Sequence, residues 1–251
     1  MNRISMETGD PTLSSLFRVS GAAALLCALM YVITLVVYVP ANLASPPPDA
    51  ILEWFQVFQD NQVTGLFYLG LGDIVIMILW VPMSLGLYSV LKGTNRTWSL
   101  IATAVTLVGV AVYLATNTAF SMLALSQEYA VASTETEKTI LLAAGQSMLA
   151  VTRGTGSLYT GMQLVWLAGL ILSIIMLGST AFRKASGWVG ILGFGLLLVG
   201  IIGGANYTSS GEYSAIQGII VALQYIGGGL LTLAWYILVG IRLWKLGKTE
   251  G

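Results

Sequence analysis

The chain has 251 residues, of which 56% are hydrophobic and only 9% charged, with eleven basic and eleven acidic side chains and a mean hydropathy of +0.83. Soluble domains carry roughly 25% charge, so this composition excludes a soluble globular class, and a net charge of zero gives no electrostatic case for nucleic acid. Cys27 is the single cysteine and histidine is absent, which excludes an internal disulfide and histidine-based metal or acid–base chemistry; no metal or cofactor is expected.

Residues 1–16 are polar, and Phe17-Arg18 leads into an apolar run over residues 19–39. A signal peptide has an apolar core of roughly 7 to 15 residues, and this run is longer, so it is read as span one. Pro40 and Pro46-Pro47-Pro48 end it, because proline lacks the N–H that a continuing helix needs. Residues 50–61 then set Ile51, Trp54, Phe55 and Phe58 on one side of a helix and Glu53, Gln56 and Asp60 on the other. That is the pattern of an amphipathic helix lying along the outer interface.

Residues 63–91 form a second apolar run holding one acid, Asp73, and one proline, Pro82. As one helix it would be about 43 Å long against a hydrocarbon core of roughly 30 Å, so it must tilt, kink or protrude. Pro82 is the expected kink, with Ser84 the nearest hydroxyl to re-satisfy the backbone. Lys92-Gly93-Thr94-Asn95-Arg96 is a tight basic turn, and residues 98–120 are span three.

The stretch 121–156 is too polar to span. Thr134 and Glu137 match a capping box that opens a helix over about residues 135–151, an outer loop helix suited to covering the bundle. Residues 157–181 and 187–205 are spans four and five, joined by a basic turn with Arg183 and Lys184; Gly200 and Gly204 form a GxxxG, which lets helix backbones approach closely. Residues 214–244 are span six. The expected fold is therefore all-α: one polytopic membrane domain over 1–251 with six transmembrane helices, an outer amphipathic helix after span one and an outer loop helix between spans three and four.

Alternating six spans puts Arg3, Arg18, Lys92, Arg96, Arg183, Lys184, Arg242, Lys245 and Lys248 on one side and only Lys138 and Arg153 on the other. By the positive-inside rule both termini are cytoplasmic, in a bacterial inner membrane or plasma membrane.

Asp73 is the residue that asks for a role, since an ionised acid within a span costs roughly 2.5 to 3.5 kcal/mol on insertion scales. Counting from the outer helix ends, Tyr31, Tyr113, Gln163 and Gln224 lie near its level, and Thr103, Thr106, Tyr113 and Asn117 share one side of span three. These residues form a candidate ligand or ion cavity, with Arg153 as the charge partner available from above; hydrogen-bond glue between helices accounts for the same polar residues. No GxSxG, HExxH or P-loop occurs and no second acid lies in the spans, so no enzymatic activity is expected.

The segments Gly65-Leu66-Phe67-Tyr68 leading to Gly72-Asp73, then Leu87-Tyr88-Ser89-Val90-Leu91-Lys92, Leu125-Ser126-Gln127-Glu128-Tyr129-Ala130 and Gly187-Trp188-Val189-Gly190-Ile191-Leu192-Gly193 resemble a family of bacterial integral membrane proteins known only as a domain of unknown function. The resemblance implies a six-span fold and no particular activity. Beyond the lipid bilayer, the expected partners are a small-molecule or ion ligand, or, on the alternative reading of a structural or assembly subunit, another membrane protein or further copies of the chain.

Overall fold

The computed structural model describes residues 11–34, 36, 50–153, 157–204 and 223–249. Among them the regular structure is helical throughout: α1 (Pro11–Ile33), α2 (Ile51–Asp60), α3 (Gln62–Tyr68), α4 (Leu71–Thr116), α5 (Ala119–Val131), α6 (Glu135–Arg153), α7 (Ser157–Gly178), α8 (Lys184–Gly204), a π-helical turn (Leu223–Gly228) and α9 (Gly229–Thr249). Four segments, Thr12–Ile33, Leu71–Val131, Thr160–Gly178 and Ile226–Lys248, are long and apolar enough to cross a membrane, and Lys184–Val199 is a shorter apolar helix.

The expected basic turn is a reversal inside α4. Asn95 has extended backbone (φ −151°, ψ 95°) and divides the helix into a first arm, residues 71–94, and a second, residues 96–116. The Asn95 side chain accepts from Trp98 N at 3.1 Å, so the residue that breaks one arm caps the next. Pro82 lies within the first arm; its carbonyl accepts from Ser20 Oγ of α1 at 2.7 Å, while Ser84 bonds the Val81 carbonyl at 2.9 Å.

Neighbouring helices run antiparallel. On α1, Ser20 meets Pro82 and Cys27 faces the Ile76 carbonyl; on its other side Ser14 donates to the Gly247 carbonyl of α9, and Gly21 abuts Gly240. Helix α7 packs on the second arm of α4 through Gly161 and Gly109, α8 packs on α7 through Phe194 and Gly169, and Gly193 of α8 meets Thr232 of α9. The contacts close a bundle around a buried core that includes Ala24, Cys27, Trp80, Met83, Leu87, Ala102, Val165, Leu172, Phe194 and Trp235. Small residues at the crossings explain the tight spacing, because bilayer lipid offers no hydrophobic drive and helices associate by close packing. Outward, Val19, Leu26, Leu29 and Val32 of α1 stay exposed at helical spacing, the face expected toward lipid.

Several boundaries differ from the sequence reading. The helix expected to start span two at Val63 starts at Leu71, because Gly70 at φ +91° separates α3 from α4. The helix expected as span one starts earlier, at Pro11, and the run expected as span six is described only from Leu223. The apolar side of the amphipathic helix is covered by protein. Trp54, Phe55 and Phe58 of α2 are buried with Ala119 and Met122 of α5 and Leu149 of α6 in a second core. Apolar side chains cover one another there, which accounts for the amphipathic pattern without lipid. The start of the stretch 121–156, for which the sequence pattern names no element before residue 135, belongs to α5, and Ser126 Oγ ties that helix to the Phe55 carbonyl at 3.0 Å. Helices α2, α3, α5 and α6 therefore form a cap on one end of the bundle. The capping box of α6 is present: Glu137 N donates to Thr134 Oγ1 at 3.2 Å and Thr134 N to Glu137 Oε2 at 3.1 Å.

Candidate functional site at the bundle and cap junction

The site is built on the break between α3 and α4. Leu69 ends one helix, Gly70 takes a left-handed conformation that a side chain rarely adopts, and α4 starts at Leu71. Asp73 thus stands in the first turn of a helix, not ten residues down one. The first turn of a helix presents unpaired N–H groups and the positive end of the macrodipole, which offsets part of the cost of a carboxylate.

Three polar groups converge on Gly70. A β-carbon built there would lie 2.8 Å from the Tyr113 hydroxyl, 3.4 Å from Asn117 Nδ2 and 3.6 Å from Asp73 Oδ2. Only glycine lets the three groups approach the backbone that closely, and they do so from both arms of α4. Tyr113 is 1% exposed and on the second arm of α4. Asn117, the residue that ends that arm, donates through Nδ2 to the Leu69 carbonyl at 3.2 Å and to the Tyr113 hydroxyl at 3.4 Å, and accepts from Ala119 N at 3.0 Å. Its amide stitches the α3–α4 break to the α4–α5 break. On the α1 side, Thr34 Oγ1 and the Met30 methyl are 3.6 and 3.7 Å from the β-carbon position of Gly72.

Below Asp73 lies an aromatic layer. Trp80 stacks on Trp235 with ring centroids 5.8 Å apart, Phe194 packs edge-on against both, and Trp80 Nε1 donates to the Tyr236 hydroxyl at 2.8 Å. Tyr236 is 3% exposed and lies within electrostatic reach of Cys27, Tyr31 and Asp73. The layer leaves two donors on α9 without a partner among the described residues, Thr232 Oγ1 and Trp235 Nε1.

Of the residues expected around Asp73, the fold brings Tyr113 and Asn117 to it. Tyr31 is half-buried on α1, its hydroxyl against Gly229 at the start of α9. Gln163 is half-buried on α7, but the residue that faces Tyr113 there is Gly161; two residues turn a helix by about 200°, so Gln163 occupies another side. The side chains of Gln224 and Arg153, and the surroundings of Gly200 and Gly204, lie outside the described residues. Close glycine packing occurs instead at Gly109 with Gly161 and at Gly21 with Gly240. Sequence reasoning missed Gly70, Trp80 and Tyr236. A glycine inside an apolar run carries no mark of its backbone conformation, and the Trp80–Tyr236 bond joins residues 156 apart.

Among the described residues no group of three acidic or cysteine side chains is placed to hold a metal ion. A shallow surface groove of about 380 Å³ lies elsewhere, on the cap, between Glu128, Ser133, Glu137 and Leu141.

One family model, a domain of unknown function (DUF4386), matches residues 19–240. No curated protein and no solved structure matches the chain.

Proposed function

We propose, for a chain that belongs to the DUF4386 family, a six-span protein of the bacterial cell membrane that binds a small cation, a proton or a cationic amphipathic molecule at Asp73, from the outer side. The six spans are α1, the two arms of α4, α7, α8 and α9, with the Asn95 reversal making one long apolar segment cross twice. Arg18, Lys92, Arg96, Arg183, Lys184, Arg242, Lys245 and Lys248 belong to the end of the bundle opposite the cap. That asymmetry supports cytoplasmic termini and an external cap.

The observation that carries the binding reading is the helix break at Gly70, with Asp73, Tyr113 and Asn117 around it. Broken backbone near a membrane is tolerated where it is covered by protein or lines a cavity, and membrane transporters place ion and substrate groups at such interrupted helices. From the basic turn the first arm of α4 rises about 36 Å, so Asp73 sits near the outer boundary of the hydrocarbon. On this reading the ligand reaches the carboxyl from the cap side, while the aromatic layer closes the way beneath it. The reading is therefore one of binding, and it requires no covalent chemistry.

The test uses the full chain in neutral-lipid nanodiscs, with sodium ions and tetraphenylphosphonium as probes. Either probe should raise the unfolding temperature of the native protein and leave the Asp73→Asn variant unmoved. A variant that responds like the native chain would remove Asp73 from any binding role, and a change confined to basal stability favours a structural or assembly subunit.

A further inference from the structure

At the end of the bundle away from the cap, Arg183, Lys184 and Arg242 are exposed and form no ion pair among the described residues. Between α7 and α8 the chain turns through residues 179–183, and Arg242 of α9 donates through Nε to the Ala181 carbonyl in that turn. Nε is thereby occupied, and the two terminal nitrogens of the guanidinium remain to bind something else. Arg183 and Lys184 follow in the same turn, two and three residues beyond that carbonyl, and both are exposed. Among the described residues the single ion pair, Lys138 with Glu135, lies on the cap. The hydrogen bond sets Arg242 against the turn that carries Arg183 and leads into Lys184, and like charges brought to one place favour an anion between them.

One turn further into the bundle, the exposed face of α8 is apolar. Trp188 and Leu192 follow Lys184 at steps of four, 56% and 54% exposed, and Val199 continues beyond them. Between Leu192 and Val199 comes Gly195, where an added β-carbon would meet nothing within 4 Å. The face therefore runs from cations through an aromatic ring and an aliphatic side chain to a notch. Tryptophan and basic residues together mark the headgroup level, and basic pockets between spanning helices on that side hold anionic headgroups.

We propose that this face is a binding site for one anionic phospholipid. Arg183, Lys184 and Arg242 hold the headgroup phosphate, and an acyl chain runs along Trp188 and Leu192 into the notch at Gly195. Arginine suits the task because its planar fork bonds phosphate oxygens in pairs.

The experiment measures quenching of Trp188 fluorescence by brominated-chain lipids in the full chain held in neutral detergent, with a Trp188→Phe variant to isolate that residue's signal. Brominated phosphatidylglycerol should quench at concentrations about tenfold lower than brominated phosphatidylcholine, the order of preference a few basic residues at a membrane surface confer. The R183Q/K184Q/R242Q variant should lose that preference, whereas K92Q/R96Q/K248Q, with the same loss of charge, should keep it. Gly195→Leu fills the notch without changing charge, its β-carbon meeting nothing within 4 Å, and should weaken phosphatidylglycerol alone. Equal losses in the two triple variants would mean a diffuse basic belt and overturn the site. Competition by inorganic phosphate as effective as that by unbrominated phosphatidylglycerol would show a phosphate site without a lipid chain, which also overturns it. Thermal unfolding of each variant separates loss of the site from loss of the fold.

Discussion

Asn117 and Leu69 are 48 residues apart in sequence, and the Asn117 side-chain amide donates to the Leu69 carbonyl at 3.2 Å. The carbonyl belongs to a residue 6% exposed at the end of α3, where no helical partner is left for it. A buried carbonyl without a donor costs about 1–3 kcal/mol. Asn117→Ala is expected to destabilise the chain by about that amount. Unfolding in mixed micelles by a denaturing detergent measures it, and an unchanged midpoint would show that water replaces the amide.

Gly70 and Tyr113 make a second, coupled expectation. Gly70→Ala forces a side chain into a left-handed backbone and sets its methyl 2.8 Å from the Tyr113 hydroxyl, a strain of about 1–3 kcal/mol. Part of the loss is steric contact with that hydroxyl, so Gly70→Ala should cost less in a Tyr113→Phe background. A double-mutant cycle reads the difference. Strict additivity of the two changes would mean that backbone conformation alone carries the penalty.

Gly161 sits where α7 crosses the second arm of α4, its β-carbon position 2.7 Å from Tyr113 N and 2.8 Å from the Gly109 carbonyl. Backbone atoms cannot rotate aside as a side chain does, so Gly161→Leu must separate the helices. The expected loss is at least about 3 kcal/mol, the upper range for overpacking. Gly195→Leu, on an open face of α8, is the matched control and should leave stability nearly unchanged. Comparable losses in both would refute the close crossing.

The cap offers a pH-dependent element. Backbone and hydroxyl hydrogen bonds from Thr134, with the Ser133 N–H, hold the exposed Glu137 carboxylate below the usual glutamate range. A lowered folded value stabilises α6 at pH above the ordinary glutamate range, and the contribution is lost as pH falls through that range and below it. Amide hydrogen exchange at the start of α6 should therefore quicken on acidification relative to the intrinsic rate. Glu137→Gln should remove that pH dependence while leaving a slower-fraying helix than Glu137→Ala.

Topology is testable with single cysteines in a Cys27→Ser background, since Cys27 is the sole and fully buried native thiol. A membrane-impermeant maleimide applied to intact cells should label cysteine placed at Glu135 on the cap. It should reach cysteine placed at Lys92 or Lys248 only after the cells are opened. The reverse pattern would invert the protein and move Asp73 to the inner side.

Much of this organisation is readable from residue pattern. Apolar runs longer than a bilayer needs, the basic turns at Lys92–Arg96 and Arg183–Lys184 and the Thr134–Glu137 capping box are local features, and local physics decides them. The side of the second arm that carries Tyr113 and Asn117 follows from helical spacing, and in the fold both face Gly70, as Asp73 does. What pattern could not supply is any relation made across the chain. The apolar run 63–91 holds two helices because Gly70 turns left-handed, and a glycine's composition does not state its φ. Trp54, Phe55 and Phe58 form an apolar stripe on either reading, but only tertiary packing decides that α5 and α6 bury it and not lipid. The depth of Asp73 changed for the same reason. Sequence determined that an acid stands among long apolar helices; the break before it, and Asn117 closing that break from 48 residues away, decided that it stands at the start of one, where the unpaired backbone N–H groups of a first turn face a carboxylate.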